Sequence, residues 1–249
     1  MTNASLNLLI QKCQEHPDYE RYTALFAQLD PSAPPRIEFV HRATPRNFQQ
    51  TKKLGIFSGS FNPLTLAHIK MVADTVAKYQ LDELLLLLAK ANVDKPVFGL
   101  PLAARLLTVK KYAENRPRIS VGASSHGRYI DKVTALRTLF SPDTAFNFIV
   151  GYDTLVRIFD AKYYTDFHAE LQALFASARF IVANRAEADI KTMETFMAQP
   201  EICRYAPYVS CILLPDVYAY MSSTAVRDLL ERGETVEHLV PQSLLKMFD

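Results

Sequence analysis

Two periods alternate along most of this chain. Short, nearly continuous apolar runs occupy 54–58, 83–89, 119–122, 146–150, 179–183 and 209–214, and each has the length and composition of a strand. Between them, apolar residues recur every three or four positions over 66–79, 101–114, 131–140, 153–159, 166–176, 190–199, 223–232 and 242–248, which is the spacing of helices with one buried face. The strands carry little polar alternation: Leu84 to Leu88 is leucine throughout. Such runs suit a sheet covered on both faces. The expected class is α/β, a parallel sheet with helices on both sides.

The first 50 residues follow a different pattern. Leu6, Leu9, Ile10 and Cys13, then Tyr22, Leu25, Phe26 and Leu29, predict two short helices broken near His16-Pro17. Asp30 to Pro35 reads as a linker and Ile37 to Val40 as a short edge strand. The chain therefore divides into an N-terminal extension, 1–50, packing on a core of 51–249. The extension carries no interpretable motif and is a candidate surface for a protein partner or for self-association.

In open parallel sheets, ligands bind beyond the carboxyl ends of the strands. That rule gathers the loops 59–65, 90–99, 123–130, 151–153, 184–189 and 215–222 on one edge. The first follows the run Leu54 to Ser58: Gly59-Ser60-Phe61-Asn62-Pro63-Leu64-Thr65 leads into a helix with His68 in its first turn. Strand, tight turn and helix aim backbone N–H groups and a helix N-terminus at an anion; the alternative is an ordinary βα unit with a surface histidine. Lys90, Lys95 and Arg105 follow the second strand, with Pro101 opening the next helix. Gly151-Tyr152-Asp153 places a carboxylate after a glycine, either to accept from ribose hydroxyls or to cap a helix. Arg185 follows the fifth strand. Met221-Ser222-Ser223-Thr224-Ala225-Val226-Arg227 offers a serine cap, free first-turn N–H groups, and Thr224 and Arg227 on one helical face, suited to a polyphosphate, although the segment alone reads more simply as a capped surface helix with a solvated arginine.

Composition narrows the partners. A net charge of +2 is too balanced for a nucleic-acid footprint, so any anion is bound locally. No apolar run has the length of a membrane span, and the N-terminus lacks a signal-peptide layout. Cys13, Cys203 and Cys211 have no paired spacing, which points to a reducing compartment, cytoplasmic or nuclear, and to no metal cluster.

Taken together, G-S-F-N-P-L-T-L-A-H, then G-Y-D, then S-S-T-A-V-R resembles the nucleotidylyltransferase superfamily marked by an H/T-x-G-H signature, and within it the nicotinamide/nicotinate mononucleotide adenylyltransferases. The likeness spans roughly 53–249 and includes the closing segment Arg232 to Pro241. It implies a Rossmann-like nucleotidylyltransferase fold and transfer of the adenylyl group of ATP to the 5′-phosphate of nicotinamide mononucleotide, with nicotinate mononucleotide as a further acceptor, making NAD and pyrophosphate. By resemblance, Gly59, Ser60 and Phe61 contact the acceptor phosphate and His68 the ATP phosphates. Lys95 and Arg227, with Ser222, Ser223 and Thr224, hold the leaving pyrophosphate. Thr65 fills the first signature position. Gly151 and Asp153 take the adenine-side ribose, and Arg185 lies with them. Mg²⁺ comes with the phosphates. The chain has no tryptophan, and Tyr163 and Tyr164 fall where the family stacks its pyridine ring. The family's second aromatic position falls near Ser124-Ser125, and Val217 to Tyr220 replace polar residues before S-S-T. The readings to separate are NAD synthesis, the same chemistry on another phosphorylated acceptor, and a nucleotide-binding interaction protein with weak activity.

Overall fold

The structure, a computed structural model, describes residues 5–43, 51–90, 99–186 and 188–248. Seven strands form one sheet: β1 (Ile37–His41), β2 (Lys53–Ser58), β3 (Glu83–Ala89), β4 (Ile119–Ser124), β5 (Ala145–Gly151), β6 (Ala178–Ala183) and β7 (Val209–Ile212). Their order is β1-β4-β3-β2-β5-β6-β7, with β1 antiparallel to β4 and every other pair parallel. The chain winds outward from β2 to β4, returns to the centre at β5, and winds the other way to β7. The switch point therefore lies between β2 and β5, where an open α/β sheet leaves a crevice for a ligand.

Helices cover both faces. On one side α3 (Leu66–Tyr79), α4 (Leu102–Ala113), α10 (Ser223–Glu231) and α11 (Gln242–Leu245) share a core with Phe57, Leu84, Leu86 and Leu88. On the other, α5 (Tyr129–Arg137), α6 (Tyr152–Ile158), α7 (Phe167–Ser177) and α8 (Ile190–Met197) pack on Ile56, Leu85, Phe148 and Phe180. Successive strand residues face opposite cores, which is why the leucine run carries no polar alternation. Among the described residues no helix is long and apolar enough to cross a membrane.

The N-terminal helices α1 (Leu6–Gln14) and α2 (Tyr19–Gln28) direct Leu9, Cys13, Tyr22, Phe26 and Leu29 into the α4 side of that core, all 5% exposed or less. Lys110 of α4 reaches Asp18 at 2.6 Å, and Asp18 also accepts from Tyr22 Oη. The apolar stripes that predicted these helices thus face inward. β1 continues the sheet at its edge. At the opposite end of the strands from the ligand loops, Glu83 is buried and accepts from Thr51 (2.9 Å) and Ser120 (2.5 Å).

Most predicted boundaries hold within two residues. α5 starts at Tyr129 rather than 131, because Arg128 clamps Asp131 at the helix start with contacts of 3.0 and 3.1 Å. β7 ends at Ile212, where Asn184 takes over pairing with Leu214 in both directions (2.6 and 3.1 Å). Pro101 is the N-cap of α4 and not its first residue. A one-turn helix not foreseen in the sequence, α9 (Asp216–Ala219), precedes α10. Gly233 ends α10 with φ +70°, its N–H reaching Leu230 O while Glu234 N–H reaches Leu229 O, a left-handed cap that favours glycine.

Candidate active site

A cavity of about 470 Å³ opens beyond the carboxyl ends of the strands. Every ligand loop with described residues except the β3–α4 loop lines it directly, and that loop borders it through Gly99 at Asn62 and Arg227. Among the described residues six cationic side chains line it, those of Arg105, Arg128, Lys132, Arg157, Arg185 and Arg227, against one carboxylate, Asp153. On a chain of net charge +2 this is a local concentration of positive charge aimed into one crevice.

The turn after β2 carries Phe61 at φ +40° and a cis bond between Asn62 and Pro63. Phe61 is fully buried, 5.4 Å from the Phe57 ring and 5.6 Å from that of His68, so its side chain positions the histidine and its backbone faces the turn. Gly59 N–H is occupied by Leu87 O, at 3.1 Å. The N–H groups of Ser60 and Phe61 make no hydrogen bond among the described residues.

His68 and Thr65 form a capping box at the start of α3. Thr65 N–H donates to His68 Nδ1 at 3.0 Å, and Thr65 Oγ1 lies 2.8 Å from the same nitrogen. A backbone N–H can only donate, so Nδ1 is the acceptor and the ring proton sits on Nε2. Burial, reinforced by Arg185, lowers the His68 pKa to about 4. The imidazole is therefore neutral across the physiological range and presents one N–H donor. Thr65, buried and off the cavity wall, sets this tautomer.

The expectation that the α3 N-terminus itself binds an anion through its N–H groups does not hold. Leu66 N–H donates to Leu239 O (2.8 Å), Ala67 N–H to Met221 Sδ (3.3 Å) and His68 N–H to Thr65 Oγ1 (3.4 Å). The chain's own closing segment fills this helix start.

The start of α10 is different. Ser222 caps it, accepting from Ala225 N–H at 3.1 Å, while the N–H groups of Ser223 and Thr224 make no hydrogen bond among the described residues. Ser223 Oγ donates to Pro63 O (2.8 Å), and Arg227 Nη1 donates to Asn62 O (2.6 Å) and Ser223 O (3.1 Å). Arg227 Nη2 donates to Thr224 Oγ1 (3.1 Å), the pairing expected of their shared face. Arg227 is 9% exposed, and its guanidinium cross-links the β2 turn to α10 while lining the cavity. Arg105, 2% exposed, donates from Nε to Leu100 O (2.6 Å); burial and the nearby charge of Arg227 lower its pKa to about 10.

On the β5–β6 side Gly151 caps α6, so the capping alternative for Asp153 is excluded: it lies in the first turn, half-exposed and 3.4 Å from Arg185 Nε. A side chain at Gly151 would meet no atom within 4 Å. Tyr163 and Tyr164 line the far wall, with Tyr164 Oη donating to Ile158 O (2.5 Å) and its ring edge-on to Phe167. Ser125 exchanges hydrogen bonds with Arg36 (2.9 and 3.0 Å), so the loop where the family places its second aromatic residue is tied to the N-terminal segment.

Of the residues singled out from the sequence, Gly59, Ser60, His68, Gly151, Asp153, Tyr163, Tyr164, Arg185, Ser222, Ser223, Thr224 and Arg227 meet at this cavity. Phe61 and Thr65 stand behind it, and Lys95 lies outside the described residues. Sequence reasoning missed Arg128, Lys132 and Arg157. Lys132 had a signal: a charge on the apolar stripe of Tyr129, Val133 and Leu136.

A family model described as cytidylyltransferase-like matches residues 56–229, most of the chain. A Schizosaccharomyces pombe protein assigned as a nicotinamide mononucleotide adenylyltransferase is 27% identical over 219 residues, covering 79% of this chain and 84% of that one. A Geobacter metallireducens protein assigned as a nicotinate-nucleotide adenylyltransferase is 25% identical, covering 76% and 92%. Among solved structures, the nicotinic acid mononucleotide adenylyltransferase of Plasmodium falciparum complexed with NaAD superposes with a TM-score of 0.58 at 18% identity, covering 79% of this chain and 94% of that one, a likeness of fold. The match of the family model over residues 56–229, well over half of the chain, shows that it belongs to the cytidylyltransferase-like family.

Proposed function

We propose that this protein is a nucleotidyltransferase that joins the 5′-phosphate of a pyridine mononucleotide to the α-phosphorus of ATP. The observation that carries the reading is the cavity's charge: among the described residues six cationic side chains line it, and the N–H groups of Ser60, Ser223 and Thr224, which make no hydrogen bond there, belong to two adjoining turns of the same crevice. Two anionic substrates must be brought together there, and fixed donors lower the cost of crowding them. The names of the relatives support the same chemistry.

In the proposed reaction an oxygen of the acceptor 5′-phosphate attacks the α-phosphorus. The bond from that phosphorus to the α–β bridging oxygen breaks, and its electron pair leaves with pyrophosphate. The N–H group of Ser60 receives the acceptor phosphate, with Gly59 admitting the close approach and the buried Phe61 holding the turn from behind. His68 Nε2–H donates to the ATP phosphates. Ser223 and Thr224 N–H, capped by Ser222, together with Arg227 and Lys95, take the pyrophosphate end. Asp153 accepts from the adenine-side ribose, with Arg185 beside it, and Tyr163 and Tyr164 face the pyridine ring. Among the described residues no three of His, Cys, Asp and Glu come together as a metal site. A Mg²⁺ ion enters in this reading as part of the ATP substrate.

Incubation with ATP, Mg²⁺ and a panel of phosphorylated acceptors, scored for pyrophosphate release, tests this. Release with nicotinamide or nicotinate mononucleotide and not with pantetheine phosphate is expected. ATP binding without release on any acceptor would leave a binding protein and end the enzyme reading.

A further inference from the structure

Lys132 sits one turn into α5, on the stripe that packs against the sheet, and is 4% exposed while lining the cavity. Its ammonium donates to Gly127 O and lies 4.6 Å from the centre of the Tyr129 ring. Neither partner carries a full negative charge. The carboxylates nearby are engaged elsewhere. Asp131, on the same helix, is held by Arg128, as is Glu170 of α7 at 2.7 Å. Glu38 of β1 pairs with Arg36 at 3.2 Å. From α6 and the turn after it come Arg157 and the Tyr164 hydroxyl, both near Tyr129. Lys132 forms no ion pair among the described residues. The first turn of a helix is also the unfavourable end for a cation. A buried amine in this position calls for an anion from outside the chain, and burial accordingly lowers its pKa to about 7.

Lys132 lines the same cavity as Tyr163, Tyr164 and Ile158, toward which the transferase reading turns the pyridine ring, and the inference rests on that reading. We propose that Lys132 reads the ring substituent of the acceptor, so that the site favours a mononucleotide whose ring carries a carboxylate over one whose ring carries a carboxamide. The carboxylate completes an ion pair with the ammonium. The carboxamide offers one neutral oxygen.

The test is kcat/KM for nicotinate and nicotinamide mononucleotide, with saturating ATP, from roughly pH 6 to 8.5. In the wild type the nicotinate-to-nicotinamide ratio is expected to exceed one at the acid end and to fall as pH rises through about 7, where the free enzyme loses the ammonium charge. Lys132→Met, close in volume, should lower the ratio at pH 6 by about tenfold, the scale of one charge-assisted hydrogen bond, and flatten it against pH, with KM for ATP unchanged. Lys132→Arg should retain the acid-side preference and lose its pH dependence. An equal loss on both acceptors, or an unchanged ratio, overturns the role of Lys132 while leaving the transferase intact. Pyrophosphate release with neither acceptor in the wild type removes the transferase reading and this inference together.

Discussion

Replacing His68 by alanine separates what the imidazole does for the fold from what it does for chemistry. Within the fold it accepts from Thr65 through Nδ1 (3.0 Å from N, 2.8 Å from Oγ1), one half of the capping box, while Thr65 Oγ1 keeps the other half at His68 N–H. Loss of one capping contact costs about 1 kcal/mol, a melting shift of roughly 2–4 °C for a chain of this size. In the transition state, a preorganised donor to a phosphoryl oxygen contributes about 3 kcal/mol, so turnover should fall by at least about a hundredfold. Thr65→Val lies between: the backbone N–H still fixes the tautomer, and the lost hydroxyl contact should lower kcat about fivefold. Calorimetric melting and pyrophosphate release under saturating substrates measure the two effects separately. The proton sign gives a third arm. With a pKa of about 4, His68 stays neutral from pH 5 upward, so kcat/KM should show no acid limb near 6.5 that is absent from the alanine variant. Near-normal turnover in His68→Ala, or a hundredfold loss accompanied by a melting shift beyond 10 °C, would refute this division of roles.

Three further substitutions probe the cavity. Gly151→Ala places a methyl where no protein atom lies within 4 Å, so it should leave melting unchanged and raise KM for ATP severalfold in steady-state assays. Tyr164→Ala should raise KM for the mononucleotide while leaving ATP affinity, measured by calorimetric titration, unchanged; equal shifts would end the stacking role. Gly99→Ala meets Asn62 Oδ1 at 2.7 Å and Arg227 Cδ at 2.8 Å from a left-handed φ of +69°, so both stability (about 1–3 kcal/mol in chemical denaturation) and turnover should fall.

The fold was legible because burial imposes a short vocabulary. Six short apolar runs between helical patterns fit strands between two helical layers, and the structure places all six in one sheet, five of them inside it and 209–212 at its edge. The extension's helices were legible by the same periodicity, but not their packing on α4, since an inward stripe looks the same whatever it faces. The site was legible where it is built from turns: glycine, proline and serine caps leave a local signature. It was not legible where helices contribute single charges. Arg157 reads as an ordinary helical surface residue until α6 is set beside the crevice. The filling of the α3 start by Leu239 and Met221 was also hidden, since those partners come from the far end of the chain.

That filling sharpens how the two helix starts differ. α3 and α10 both point into the cavity, yet of the two α10 alone keeps two first-turn N–H groups without an acceptor among the described residues. α3 contributes its dipole and one imidazole donor, held by Thr65; it is fixed to the closing segment at Leu239 and to Met221 just before α10. The turn between β2 and α3 is fastened to α10 again by Ser223 to Pro63 and Arg227 to Asn62, and to the start of α4 by Asn62 Oδ1 accepting from Leu100 N–H at 2.9 Å. Three elements far apart in sequence are thereby locked at fixed separation around one crevice. Donors held in this way need no rearrangement as charge moves from the α-phosphorus toward the leaving group, which is the condition under which such donors favour the transition state over the bound substrates. The β4–α5 loop, whose Gly127 O accepts from Lys132, is tied instead to the segment just before β1 through Ser125 and Arg36.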